Sequence, residues 1–191
     1  MKQNAYDDKI TYFNDLSASW DETVGNTDEN RMRKLRDAFA LIRLKPGSTV
    51  IDAGCGTGIL FSFIEERIGE EGRLIAVDAA GNMIEEAKKK HAAYDNIQYF
   101  ASTLEHLTLP HKVADAIICF AVFPHIEDKS AALMQCQRLI KEDGALYIFH
   151  LSDTESLNAF HHALDAPVRH DVMPHRDELE ALFLRTGFRM V

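Results

Sequence analysis

Two hydrophobic patterns alternate along the chain. Short, mostly apolar runs occur at Ser48–Ile51, Leu74–Val77, Ile97–Phe100, Ala116–Phe120 and Ala145–Phe149. They are rich in β-branched and aromatic residues, and several are bounded by Gly, Asp or Pro. Such runs read as strands covered on both faces, because a half-exposed strand would alternate apolar and polar positions. Between them, apolar residues recur at helical spacing. Arg33–Leu44 places Leu35, Ala38, Phe39 and Ile42 on one side, and Leu60–Ile68, Met83–Ala93 and Lys129–Lys141 behave alike. The alternation predicts an α/β fold, a doubly wound and mostly parallel sheet with helices on both faces.

The punctuation agrees with this layout. Pro46-Gly47 separates the first core helix from the first strand, and Glu142-Asp143-Gly144 closes the helix before the fifth. Ser152-Asp153 caps a helix over Thr154–Ala163. Pro174 precedes a last helix near Asp177–Thr186, with Gly187 as its left-handed cap. Residues 1–30 are polar, with one helix expected around Tyr6–Ser17, and read as a flap ahead of a domain spanning 31–191.

Composition narrows the partners. The 191 residues include 21 Lys+Arg against 30 Asp+Glu, a formal net charge of -9. An acidic surface repels phosphate backbones, so no nucleic-acid partner is expected. The apolar share, 46%, is too high for disorder. Three scattered cysteines, Cys55, Cys119 and Cys136, form neither a disulfide framework nor a metal-ligand spacing. With no secretory h-region and no run of roughly 18 apolar residues, the expected location is the cytoplasm, with no membrane contact.

The most informative segment is Val50-Ile51-Asp52-Ala53-Gly54-Cys55-Gly56-Thr57-Gly58. A strand ends in an acid, and a Gly-x-Gly-x-Gly turn opens a helix whose N-terminus favours an anion. The dinucleotide fingerprint needs its third glycine at position 59, which is Ile59, and a phosphate loop needs a lysine that is absent. The segment resembles the first motif of the class I S-adenosylmethionine-dependent methyltransferases, small-molecule type. The resemblance implies S-adenosyl-L-methionine as cofactor. The amides around Gly54, Cys55 and Gly56 would face its carboxypropyl group, and Asp52 would lie near its amino group.

Further positions extend the resemblance over about residues 10 to 150. Asp78 ends the second strand, where the family's acid grips the ribose diol, and Ala79 and Met83 follow in the family's layout. For Met83, packing in the core is an equal reading. Ser102 stands where the family often has an adenine-binding Asp, beside Thr103 and Leu104. Phe120, at the end of the fourth strand, would face the methionine moiety. The following Phe120-Ala121-Val122-Phe123 lacks the Asn/Asp-Pro-Pro pattern of enzymes that methylate nucleic-acid bases. Tyr12 and Trp20 either cover the cofactor or pack the flap onto the domain.

The chemistry implied is methyl transfer to a small-molecule acceptor. Such a displacement needs alignment, and a base only where the acceptor must lose a proton. His125 and His150 follow strand ends on the ligand-binding edge of the sheet. His125 is the catalytic candidate, as a base or as a positioning residue. His161, His162, His170 and His175, with Asp165 and Asp171, form a second group in 151–175. It reads as a substrate lid rather than a metal site, with His161, His162 and His170 on the acceptor side. Two other readings remain: a module that binds cofactor without turnover, and a dinucleotide-dependent oxidoreductase. The family's sheet ends in a strand hairpin, and here only Phe188–Val191 begins a sixth strand. The hairpin therefore reads as incomplete, through truncation or another closure of the edge, and the expected state is monomer or homodimer.

Overall fold

The computed structural model describes residues 2–189. Five strands form one sheet in the order β3-β2-β1-β4-β5. These are β1 (Thr49–Ala53), β2 (Arg73–Asp78), β3 (Ile97–Ala101), β4 (Ala114–Phe120) and β5 (Ile140–Phe149). Every pairing is parallel, with Ile51 opposite both Ile75 of β2 and Ile117 of β4. The doubly wound architecture expected from the alternating pattern is the one observed.

The helices are α1 (Lys2–Leu16), α2 (Trp20–Thr23), α3 (Glu29–Phe39), α4 (Phe61–Ile68), α5 (Gly81–Lys90), α6 (Lys129–Leu139), α7 (Thr154–Ala163) and α8 (Arg176–Arg185). Strand side chains alternate between two apolar layers. Ile51, Ile75, Val77, Ile117 and Cys119 join Leu133, Cys136 and Leu182 on one face. Val50, Leu74, Ala76, Ala116 and Ile118 meet Phe39, Phe61, Ile64 and Ile68 on the other. Neither face of the sheet is left to water, which explains why the strands read as continuous apolar runs. Phe39 and Phe61 are fully buried, each stabilising the fold by about 2 kcal/mol.

Several boundaries move. The first core helix runs Glu29–Phe39 instead of Arg33–Leu44. Asp28 starts it early, its carboxylate accepting from the Arg31 amide at 2.7 Å, and the chain leaves the helix before Pro46. Glu142-Asp143-Gly144, expected to end a helix, lies inside β5. The pairing jumps there from Ala114 opposite Ile140 to Ala116 opposite Ala145. A Cβ on Gly144 would lie 3.0 Å from the Asp115 carbonyl oxygen, so glycine serves a close strand approach rather than a cap. The caps at Asp153 and Gly187 appear as expected: Asp153 accepts from the Ser156 amide at 2.8 Å, and Gly187 has φ +84°. Phe188 and Arg189 are not in a strand, while Met190 and Val191 of the expected sixth strand lie outside the described residues.

Strand order reverses at β1, which pairs with β2 on one side and β4 on the other. The loops leaving β1 and β4 therefore part, and a crevice opens at the carboxyl ends of the strands.

Candidate active site

The turn after β1 is built from its own backbone. The Gly54 and Cys55 amides both donate to the Val77 carbonyl, at 2.7 and 3.0 Å, and the Gly58 amide donates to Cys55. The Gly56 amide donates to Asp78 Oδ2 at 2.9 Å. The amides expected to face a ligand are thus largely engaged within the protein. Gly54 has φ +70°, and a Cβ there would sit 2.2 Å from Val122 Cγ2, so no other residue fits. Val122 is delivered by Ala121, itself at φ +55°, where β4 ends.

Two carboxyl groups meet at this turn. Asp78 accepts from Gly56 through one oxygen and from the Ala80 amide, at 2.8 Å, through the other. Burial raises its pKa, opposed by those two amides. Asp52 is 2% exposed, and its Oδ2 has no hydrogen-bond partner. Burial, and then the charge of Asp78, push its carboxyl up to about 8. A buried, unpaired acid beside a second carboxylate is a receptor for a cationic group. The Cys55, Cys119 and Cys136 thiols are buried and pushed up, mainly by desolvation, so none is an activated nucleophile.

The N-terminal segment lies over the same crevice. Trp20 Nε1 is 3.4 Å from where a Gly56 Cβ would be. Phe13 packs edge-on against Trp20, Tyr12 and His125, with centroids 5.7, 5.3 and 5.3 Å apart. Asn14 Oδ1 accepts from the Asn82 amide at 2.8 Å. Asp21 accepts from Thr57 Oγ1 at 2.6 Å and from Lys90. Tyr6 on α1 is pushed up to about 12 by burial, then by Glu105, Glu127 and Asp78.

Beyond β4, the turn Phe123–His125 presents His125. Its Nδ1 lies 2.8 Å from Asp171 Oδ2, and Lys9 Nζ donates to the other oxygen at 2.9 Å. Asp171 is 7% exposed; burial would raise its pKa, but the hydrogen bonds from His125 and Lys9 prevail and keep it charged. A carboxylate only accepts, so Nδ1 of His125 carries a proton, and in the neutral ring Nε2 presents the lone pair. His161 Nδ1 similarly donates to the Asp171 carbonyl at 2.8 Å. His150 Nε2 is buried without a partner, and burial, then His125 and His161, push that ring down to about 4.

The crevice thus brings together Trp20, Asp52, Gly54, Cys55, Gly56, Asp78, Ala79 and His125. Ser102 stands at its side, its amide donating to the Asp78 carbonyl at 2.9 Å. Thr103 Oγ1 pairs with His106 Nδ1, while Met83, Leu104 and Phe120 are buried. His161 reaches the His125 group, but His162 and His170 are exposed. Among the described residues no cluster of His, Cys, Asp and Glu could hold a metal, and no helix is long and apolar enough to cross a membrane. The sequence did not single out Lys9 or Asp21; Val122 entered only within the Phe120–Phe123 segment, and Asp171 only beside the histidine group. No local signal marks a contact such as Lys9–Asp171, 162 positions apart.

A family model for the methyltransferase domain matches residues 51–148, about half of the chain. The chain belongs to the methyltransferase domain family. This methyltransferase domain is 30% identical over 152 residues to a ubiquinone biosynthesis O-methyltransferase of Coxiella burnetii, covering 76% of the chain and 62% of the relative. It is 27% identical over 120 residues to a ubiquinone/menaquinone biosynthesis C-methyltransferase of Hydrogenovibrio crunogenus, covering 61% of the chain and 47% of the relative. The chain therefore spans less than two thirds of these relatives. Among solved structures, its fold is similar to that of a Haloferax volcanii protein in a complex with the Trm112 methyltransferase activator. That match has a TM-score of 0.78 at 18% identity and covers 92% and 75% of the two chains. An Aquifex aeolicus SAM-dependent methyltransferase gives 0.63 at 22%, covering 82% and 79%.

Proposed function

We propose that this protein is an S-adenosyl-L-methionine-dependent methyltransferase acting on a hydroxyl group of a small molecule. The observation that carries the cofactor assignment is the orphaned, buried Asp52 carboxyl beside Asp78. An amino group placed at Oδ2 would give Asp52 its missing partner. Asp78, pinned by two amides but partly exposed, keeps one lone pair per oxygen for a ribose diol. Met83, Ser102, Thr103 and Leu104 would flank the adenine, and Cys55 and Phe120 would wall the crevice. Residues 1–30 would form the flap, with Tyr12 and Trp20 closing over the cofactor, and residues 31–191 the domain beneath it. The segment 151–175 would form the acceptor-side lid.

The cofactor supplies a methyl group activated on a sulfonium sulfur. The chain's own work is alignment, exclusion of water by the flap, and proton removal. His125 Nε2 would take the proton of the acceptor hydroxyl as that oxygen is methylated. The acceptor becomes a methyl ether, and His125 leaves the step as imidazolium. An oxygen acceptor fits this arrangement because a hydroxyl gains from a base, whereas a free amine attacks without one. Three free thiols fit a reducing cytoplasm, and the net charge of -9 argues against a nucleic-acid partner; the protein would act as a monomer or homodimer.

Calorimetric titration with S-adenosylhomocysteine, and separately with a nicotinamide dinucleotide, tests the reading. Binding of the first only, weakened at least about tenfold by Asp78→Ala, is expected. Binding of the dinucleotide alone overturns the proposal. Turnover against phenols and alcohols, but not amines, tests the acceptor class.

A further inference from the structure

Three parts of the chain that are remote in sequence meet at one carboxylate. Asp171 takes His125 Nδ1–H on one oxygen at 2.8 Å and Lys9 Nζ on the other at 2.9 Å, and its own carbonyl takes His161. Lys9 belongs to α1, His125 to the turn after β4, and Asp171 to the stretch between α7 and α8. Lys9 and Asp171 are 8% and 7% exposed, so solvent screens their pairing little. Phe13, one turn along α1 from Lys9, lays its ring edge-on against His125. The segment that covers the crevice therefore also supplies the counter-charge to the group that orients His125.

We propose that Asp171 and Lys9 are positioning residues that make His125 Nε2 the base and couple its readiness to the seating of α1. This rests on the base role given to His125 above. Asp171 fixes the Nδ1–H tautomer and, as an anion, favours the imidazolium, which has no lone pair to offer. Lys9, which α1 brings to the other oxygen of Asp171, opposes that pull on the ring. The base is thus armed when the crevice is covered. Other charged or titratable groups also face His125 or its partners. Asp78 acts from the end of β2 and Glu127 lies 3.5 Å from Lys9. Lys129 bonds the Pro124 and Ile126 carbonyls. His150 and His161 are both pushed toward the neutral form by burial.

The test reads the ring of His125 directly by nitrogen-15 NMR of the cofactor-free protein, alongside the pH profile of kcat. Asp171→Asn should lower the midpoint of the His125 titration, by up to about one pH unit, and lose the Nδ1–H tautomer signature. Lys9→Met should move the midpoint the other way by a similar amount, and Lys9→Arg should restore it. The acidic limb of kcat should follow these directions, and Asp171→Asn should lower kcat at its plateau about tenfold or more, with KM little changed. Unchanged midpoints and tautomer in both Asp171→Asn and Lys9→Met overturn the inference, even where His125→Ala abolishes turnover. Full turnover in His125→Ala overturns instead the base role on which it rests. Should Lys9→Met fail to fold, Lys9→Gln gives the same reading.

Discussion

Asp52→Asn should make this protein more stable and a poorer binder of its cofactor. The Asp52 carboxyl is 2% exposed, Oδ2 has no partner, and its pKa is raised to about 8 by burial and by Asp78. In the unfolded chain an aspartate titrates near ~3.9. Between these values the folded state holds a proton that the unfolded state has lost, so stability falls as pH rises from about 4 to about 8. At pH 7 the gap of roughly three units, at 1.36 kcal/mol each, sets a ceiling of about 4 kcal/mol. Asparagine keeps the volume and removes the ionisation, so the variant escapes this loss. For a chain of this length the gain amounts to about 10 °C in Tm near neutrality, shrinking toward pH 4. Thermal melts of both proteins from about pH 5 to pH 9 give the difference directly. If the two melt in parallel across that range, Asp52 is not protonated in the fold and the reasoning fails. The same group predicts proton release on binding. At pH 7 roughly nine in ten Asp52 groups are protonated, and pairing with an amino group ionises them. The enthalpy of S-adenosylhomocysteine binding should therefore depend on the buffer, by about one proton per site in the wild type and by none through this residue in Asp52→Asn.

Other outcomes follow from particular contacts. Gly54→Ala places a Cβ 2.2 Å from Val122 at φ +70°, and should cost about 2 kcal/mol or more in urea unfolding together with cofactor affinity. Trp20 is the one tryptophan of the chain and lies over Gly56, so its fluorescence should change as S-adenosylhomocysteine is titrated; constant emission during binding seen by calorimetry contradicts the flap. Asp115 accepts from the Thr49 amide at 2.8 Å and pairs with Lys141, joining β1, β4 and β5. Burial raises its pKa, but the Lys141 and Thr49 hydrogen bonds prevail and lower it. Asp115→Ala should cost about 1 kcal/mol above pH 4, and less as pH falls through the carboxylate range.

The sequence by itself determined the strands, the glycine turn and the two acids that flank it. Each of these depends on neighbours a few positions away. A parallel strand buried on both faces must be a short apolar run, and Gly54 is needed because its turn requires φ +70°. Element ends were less legible because caps and close approaches compete for them. Asp28 started α3 earlier than periodicity alone suggests, and Gly144 served a strand approach where it resembled a stop signal. The histidines show the limit most clearly. The order of residues placed His125, His150 and His161 among the candidates. It could not say that His161 turns inward while His162 beside it stays exposed, because that depends on which side of α7 meets the domain. Nor could it pair Lys9 with Asp171. Only the packing of α1 across the crevice brings those charges within 2.9 Å, and burial then makes the contact matter. The chemistry near the glycine turn is local and was written in the motif. The ordering of the acceptor-side histidine is long-range, and tertiary structure alone decided it.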